Sequence, residues 1–200
     1  MIRSFLDPAA CAIITPLNLK ITANTGVMAE MVSTAAEPAP YRQFLADFEK
    51  TIRNAAARLS RVTAEQASQK TDDGWSRKET LGHLIDSAAN NHQRFVRGQF
   101  TDDLVFPGYD GDQWVSAQKY NEASWPDLIQ LWSSYNLHLL HVVSLIPAGV
   151  LSKPREKHSL DQIAFNLVDK NKPATLEYLI RDYVDHLRHH LDQIFTDTQH

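Results

Sequence analysis

Four long segments of this chain repeat their apolar residues every three or four positions, and this periodicity limits the folds open to the chain. Such spacing collects the apolar side chains on one face of an α-helix. Stretches in which apolar and polar residues alternate, the pattern of a half-buried β-strand, are almost missing from the sequence. We therefore predict an all-α fold, an antiparallel four-helix bundle. Its long helices are expected over residues 41–61, 76–97, 124–146 and 175–194.

Residues with special backbone roles mark the ends of these helices. Ser76 and Glu79 have the spacing of a capping box, in which the serine oxygen accepts an early main-chain N–H and the glutamate reaches back to the cap. Gly98 follows the second long helix, and Pro126 lies in the first turn of the third, where its missing N–H costs little. The long connections after the second and third helices leave room for a crossover, and a short helix is expected over residues 113–121.

Residues 1–39 differ from the rest of the chain. They contain Pro8, Pro16 and Pro38 and many small residues, without any sustained apolar period. Segments of this kind bury too little apolar surface to offset the entropy cost of ordering them. We expect residues 1–39 to form a flexible tail and residues 40–200 to form the helical domain.

Charge and composition exclude several classes of protein. Twenty Lys and Arg against 24 Asp and Glu give a net charge of −4, without the basic footprint of a nucleic-acid-binding protein. No run reaches the roughly 18 apolar residues that a membrane-spanning helix needs. Asp7, Pro8 and Pro16 interrupt any signal-peptide core, so we expect a cytoplasmic protein. The single cysteine, Cys11, excludes internal disulfides, and the nine histidines mean that a metal site would use imidazole.

The last helix carries a pair of histidines four residues apart. At about 100° per residue, His190 falls roughly 50° and His186 roughly 90° from the centre of the Leu and Ile stripe, while His189 falls on the solvent side. His186 and His190 can therefore converge on one ion. The alternative is two partly exposed histidines near a helix C-terminus, where the helix dipole favours a cation. A zinc-type site would need a third ligand from elsewhere.

The second helix offers that third ligand on a polar stripe. This stripe lacks the lysines and glutamates that usually cover an exposed helix face. We interpret it as the lining of a polar cavity near one end of the bundle, with a solvated face as the alternative. Its members are Thr80, His83, Ser87, Asn90 and Arg94.

These residues carry a resemblance to a known family. From Trp75 the chain reads W-S-x-x-E and then H-L-x-D-S-x-x-N-x-x-x-R-F, and from His186 it reads H-L-R-H-H-L-D-Q-I. Residues 41–195 thereby resemble the DinB/YfiT-like superfamily of four-helix-bundle proteins, often described as metal-dependent hydrolases. The resemblance implies that a divalent metal, zinc or nickel before iron, binds His83, His186 and His190.

The resemblance also implies what such a site could do. Metal-dependent hydrolysis of a small-molecule substrate is the first expectation, and transfer of a low-molecular-weight thiol is the alternative. A third alternative is a non-catalytic metal-binding module that forms homodimers in a stress response. Imidazole ligands suit several transition metals, so the sequence does not identify the ion.

Other side chains near the expected site have two interpretations each. Asp86 is a candidate to orient a ligand histidine, or a simple surface aspartate. Arg94 is a candidate to hold an anionic substrate group, or a partner in a structural ion pair. Ser87 and Asn90 would line the substrate pocket, and Asp110 and Asp112 could approach its open side. The pair formed by His138 and His141 has no evident third partner in the sequence, which favours a packing or surface role.

Overall fold

The computed structural model describes residues 39–70 and 74–196, and these residues form helices without any β-strand. The predicted tail lies outside the described residues except for Ala39, with which the first helix begins. In chain order the helices are α1 (Ala39–Leu59), α2 (Ala64–Ser68), α3 (Arg77–Arg97), α4 (Gly111–Gln118), α5 (Trp125–Ser144), α6 (Ala148–Ser152), α7 (Leu160–Ile163) and α8 (Leu176–Thr196).

The four long helices α1, α3, α5 and α8 form the predicted bundle. α1 and α3 each pack against both α5 and α8. The apolar stripes read from the sequence face inward and supply the core, which includes Phe48, Leu84, Phe95, Trp132 and Leu187, all at most 1% exposed. Burying one such large side chain contributes about 1.5–3 kcal/mol, so the packing of these stripes holds the bundle together.

Two neighbouring pairs of helices are antiparallel. The hydroxyl of Tyr41, at the beginning of α1, donates to the carbonyl of Val143 near the end of α5, at 3.3 Å. Nε of Arg77, at the beginning of α3, donates to the carbonyl of Ile194 near the end of α8, at 3.1 Å. Each contact joins the start of one helix to the end of its neighbour, which fixes their opposite directions.

The pair α3 and α5 runs in the same direction. The hydroxyl of Ser76, just before α3, donates to Oδ1 of Asn121, just before α5, at 2.9 Å. Further along, Nδ1 of His92 lies 3.3 Å from the hydroxyl of Tyr135. Residues 98–124 must therefore return along the length of the bundle, which is the crossover expected after the second long helix. α4 lies on this crossover segment.

The capping residues behave largely as the sequence predicts. The Ser76 oxygen accepts from the main-chain N–H of Glu79, and the Glu79 carboxylate accepts from the N–H of Ser76. The short helix predicted over residues 113–121 differs, because α4 ends at Gln118. Lys119 adopts a left-handed conformation with φ of 51°, and a 3₁₀ turn follows over Tyr120–Glu122.

The connection between α5 and α8 stays at one end of the bundle. The buried guanidinium of Arg155 fixes it, donating to the carbonyls of Gly98 at 3.0 Å, Val150 at 3.0 Å and Lys153 at 2.9 Å. These hydrogen bonds satisfy main-chain oxygens where α3 and α6 end. Among the described residues, no helix is both long enough and apolar enough to cross a membrane.

Candidate metal centre

Three histidines from two helices converge between α3 and α8. His83 lies on α3, and His186 and His190 lie one turn apart on α8. Their ring centroids are 4.5 to 5.2 Å apart, and Nε2 of His83 is 3.3 Å from Nε2 of His186. Each ring offers a nitrogen within 4.8 Å of those of the other two, and no second group of His, Cys, Asp or Glu does the same within residues 39–70 and 74–196.

Hydrogen bonds to the outer nitrogens orient two of the rings. Nδ1 of His190 lies 2.6 Å from Oε1 of Gln193, which can only accept. Nδ1 of His186 lies 3.4 Å from the Ser87 hydroxyl. With the proton on Nδ1 of each ring, the Nε2 lone pairs stay available where the rings meet. This is the usual arrangement around histidine ligands, in which a partner of the second nitrogen fixes the tautomer.

The three imidazoles are neutral near pH 7. Burial, followed by the neighbouring His190, lowers the pKa of His83 to about 4. Burial, followed by the neighbouring histidines, lowers the pKa of His186 to about 3. Burial also lowers the pKa of His190, against the hydrogen bond that this ring donates to Gln193, which raises it. Neutral imidazole is the form that binds a metal ion, so no proton must be displaced from these nitrogens.

The geometry fits a divalent metal ion. Zinc binds imidazole nitrogens at about 2.0–2.1 Å in a tetrahedral arrangement, which places two of them roughly 3.3 Å apart. The Nε2 atoms of His83 and His186 have this separation, 3.3 Å. Three protein ligands leave a fourth position free, as in catalytic rather than structural zinc sites. The donor set suits zinc, nickel and iron alike.

The crossover segment and the start of α3 enclose the ring of His83. Trp75 packs at a centroid distance of 5.1 Å and Tyr109 at 6.3 Å. Gly111 lies against the edge of the ring, where a Cβ atom would be 3.2 Å from Cε1 and 3.3 Å from Nδ1. Nδ1 of His83 is buried and has no hydrogen-bond partner in the structure. A larger residue at position 111 would therefore crowd the candidate ligand.

Asp86, one turn after His83, is buried and held by the crossover segment. Its Oδ1 accepts from the hydroxyl of Tyr120 and from Nε2 of Gln118, both at 2.7 Å. Burial raises the pKa of Asp86, against these two hydrogen bonds. Its Oδ2 is buried without a partner. The ring of Tyr120 reaches Asp86 by crossing Gly82, where a Cβ atom would lie 2.1 Å from Tyr120 Cδ2.

A cavity of about 340 Å³ opens beside the histidine cluster and is lined by two of its members, His83 and His186. This is the size of a pocket for a small organic molecule. One wall is polar and comes from α3 and the crossover segment, and the opposite wall is largely apolar and comes from α7, α8 and the residues between them. The polar side includes His83, Ser87, Asn91, Arg94 and Tyr109, and the other side includes Ile163, Phe165, Leu179, Asp182, Tyr183 and His186.

The residues named from the sequence do not all reach this cavity. Ser87 and Arg94 line it, whereas Asn90 does not and instead donates to the main-chain carbonyl of Asp86 at 2.9 Å. Asp110 and Asp112 are exposed and do not line it either. The Asp110 carboxylate instead caps the start of α4, where Oδ1 accepts from the main-chain N–H of Gln113. The same segment contributes Tyr109 and Gly111 instead. His189 is exposed, as its helical phase predicts.

Several residues of the site were not predicted from the sequence. Asn91 lines the cavity in place of Asn90, one position along α3. Tyr109 lies in the loop that the sequence marks only as a structured excursion, and Asp182 precedes the histidine pair on α8. Gln193 follows His190 by three residues, a spacing at which helical side chains meet, and this was the one local signal available.

Known proteins share this fold and this sequence pattern. Residues 47–194 match the family model of the DinB superfamily. Among solved structures, YfiT from Bacillus subtilis is similar, with a TM-score of 0.58 and 16% sequence identity, over 88% of this chain and 90% of that chain. YfiT is described as a probable metal-dependent hydrolase with an unusual four-helix bundle topology. No curated protein sequence matches the chain significantly.

Proposed function

Because the chain belongs to the DinB superfamily, we propose that it is a metal-dependent hydrolase that binds a divalent ion through His83, His186 and His190. The observation that carries this proposal is the 3.3 Å separation of two neutral imidazole nitrogens beside a cavity. Packing alone does not require three neutral histidines to share one point. The description of YfiT as a probable metal-dependent hydrolase supports the same reaction class.

The proposed chemistry needs an ion with a free position next to the substrate. When bound, such an ion would supply Lewis-acid chemistry: it would polarise a carbonyl and lower the pKa of water toward about 7, so that hydroxide is available as the nucleophile near neutral pH. The chain's own contribution is to hold the three rings fixed. Gln193 keeps the proton on the outer nitrogen of His190, and the Ser87 hydroxyl contacts the outer nitrogen of His186. Trp75, Tyr109 and Gly111 restrict His83.

Asp86 acts in this proposal as a positioning residue and not as a catalytic one. It does not line the cavity, and its carboxylate connects α3 to Tyr120 and Gln118 of the crossover segment. Ser87 and Arg94 face the cavity and are proposed to contact substrate. Asn90 was expected to contact substrate as well. Asn91 takes its place in this proposal, because Asn91 lines the cavity and Asn90 does not.

Metal content of purified variants tests the ligand set. We expect wild-type protein loaded with zinc or nickel to keep about one ion per chain after gel filtration. His83→Ala, His186→Ala and His190→Ala should each abolish stoichiometric binding, while His189→Ala, which removes an exposed neighbour on the same helix, should not. Equal retention in all four variants would reject the proposal.

Activity then tests the reaction class. Loaded wild-type protein is assayed against ester, amide and thiol-conjugate panels, with His83→Ala as the control for contaminating enzymes. Hydrolysis that requires both His83 and the ion supports the proposal. Metal-dependent thiol transfer without hydrolysis would favour the transferase, and a bound ion without turnover would favour a non-catalytic module. A cytoplasmic location and a homodimer are further predictions, tested by fractionation and by light scattering.

A further inference from the structure

The cavity contains a cation that the protein itself does not neutralise. Arg94 is 6% exposed and lines the cavity. Its guanidinium donates to the main-chain carbonyl of Pro107 at 3.0 Å and to Oδ1 of Asn91 at 3.4 Å, both uncharged acceptors. Within the part of the chain that the structure describes, no carboxylate forms an ion pair with Arg94. The structural ion pair considered from the sequence is therefore not found there.

The acidic residue that shares the cavity is already engaged. Oδ2 of Asp182 accepts from the main-chain N–H of Phe165 at 2.8 Å, and Oδ1 accepts from that of Asn166 at 2.6 Å. Asp182 thus anchors the loop after α7 to α8. A buried charge without a partner costs several kcal/mol, so the unpaired guanidinium needs a reason to stay in place.

Arg94 and His83 lie at different heights along α3. Arg94 follows His83 by eleven positions on α3, which places the two Cα atoms roughly 16 Å apart at 1.5 Å per residue. Helical side chains lean toward the N-terminus, so the guanidinium points back toward the histidine end. Ser87 and Asn91 lie between them along the polar wall.

The other donors near Arg94 are neutral. Tyr109 also lines the cavity, and a tyrosine hydroxyl is ordinarily protonated at neutral pH. Arg94 itself stays charged even though burial lowers its pKa. The end of the cavity at Arg94 therefore offers one positive charge and hydroxyl or amide groups.

We propose that this end of the cavity is an oxyanion subsite, and that the substrate is a small carboxylate whose acid group binds Arg94 while its reacting group faces the histidines. A planar guanidinium matches a carboxylate with two parallel hydrogen bonds. A phosphomonoester would carry nearly two negative charges against one guanidinium. The apolar side chains of Ile163, Phe165 and Leu179 would contact the carbon body. This inference rests on the proposed function only where it places the reacting group of the substrate at the histidines.

Binding of simple probes tests the subsite. Benzoate, benzamide and phenyl phosphate are titrated calorimetrically into wild-type protein, both zinc-loaded and metal-free, and into Arg94→Gln and Arg94→Lys. Arg97→Gln is the matched control, because Arg97 is an exposed arginine one turn later on α3. We expect wild-type protein to prefer benzoate over the other two probes. Arg94→Gln should weaken benzoate binding roughly 10- to 100-fold, the effect of losing hydrogen bonds to a charged group.

The remaining outcomes are also decisive. Arg97→Gln should bind benzoate as wild type does. Arg94→Lys keeps the charge but not the two parallel hydrogen bonds of the guanidinium, so its affinity for benzoate should fall between those of wild type and Arg94→Gln. Arg94→Lys also serves as the test if Arg94→Gln does not fold. If benzoate binds zinc-loaded but not metal-free protein, and Arg94→Gln does not weaken that binding, the proposed subsite at Arg94 is overturned. Preference for phenyl phosphate would overturn the carboxylate assignment.

Failure of the subsite is distinguishable from failure of the proposed function. If wild-type protein retains no metal but benzoate binding still depends on Arg94, the subsite stands and the hydrolase proposal falls. If the ion binds through the three histidines and Arg94→Gln binds benzoate as wild type does, the hydrolase proposal stands and the subsite falls.

Discussion

Two groups of three histidines lie on opposite sides of α3, and only one of them has the geometry of a metal centre. The first group consists of His83, His186 and His190. The second consists of His92 on α3 with His138 and His141 on α5, a pair for which the sequence offered no third partner. In the second group His92 lies near His138, with ring centroids 5.0 Å apart, but His138 and His141 are 6.5 Å apart and exposed.

Convergence and burial, rather than the number of histidines, separate the two groups. His186 and His190 are four residues apart and their rings cross at 80°, with centroids 4.5 Å apart. His138 and His141 are three residues apart and their rings are nearly parallel at 28°. The crossover segment also covers the first group, whereas the second group lies on a surface where water can hydrate each ring.

The largest expected difference between the groups is in metal binding. His186→Ala should abolish stoichiometric binding of zinc or nickel, because it removes one of the three converging nitrogens. His138→Ala should leave the metal content unchanged. Elemental analysis of both purified variants measures this. Metal loss in His138→Ala together with retention in His186→Ala would reverse the assignment of the two groups.

The second expected difference is in acid stability without metal. The pKa values of His83 and His186 are lowered to about 4 and about 3, below the ordinary 6.5. Between these values and 6.5 the unfolded chain binds protons that the folded protein does not, so the free energy of unfolding falls as the pH falls through this window. The loss should be on the order of a few kcal/mol, at about 1.4 kcal/mol per pKa unit.

Urea unfolding of chelator-treated protein at pH 7 and pH 5 measures this effect. His83→Gln should weaken the dependence on pH, and His138→Ala, which removes an exposed ring, should keep it. A wild-type free energy of unfolding that does not change between the two pH values would show that the buried rings do not cause acid sensitivity.

The smallest expected difference concerns the groups that contact the rings from outside. Gln193→Ala removes the acceptor for Nδ1 of His190 and should lower metal affinity about 10- to 100-fold. Tyr135→Phe removes the hydroxyl beside Nδ1 of His92 and should leave metal affinity unchanged. Competition with a coloured chelator gives both affinities. Equal affinities in the two variants would mean that Gln193 does not orient His190.

The sequence predicted the parts of the site that depend on local geometry. The phase of α8 separated His186 and His190 from His189, because side-chain directions on one helix follow from residue spacing alone. The capping box at Ser76 and Glu79 was readable for the same reason. Asn90 was predicted to line the cavity as a member of the polar stripe of α3. Asn90 and Asn91 follow Ser87 by three and four residues, so helical spacing alone does not decide which of the two faces the cavity.

Residues that reach the site from distant parts of the chain were not predictable in this way. Tyr109 and Gly111 contact His83 only because residues 98–124 return along the bundle, and Asp86 meets Tyr120 only because Gly82 lets the ring cross α3. The long connections after the second and third helices left room for a crossover, but the sequence did not show which of them would cross and so make a pair of helices parallel. Apolar periodicity determines which face of a helix is buried and carries no information on its direction.

The amino-acid sequence by itself determined that this protein is helical, where its long helices lie, and which histidines share a helix face, since these properties depend on neighbours within a few residues. Only the tertiary structure decided that His83 meets His186 and His190, that His92 joins a second group without a common point, and that Arg94 faces a cavity without an acidic partner. These outcomes depend on how helices far apart in the chain are oriented and packed, and local spacing does not encode that packing.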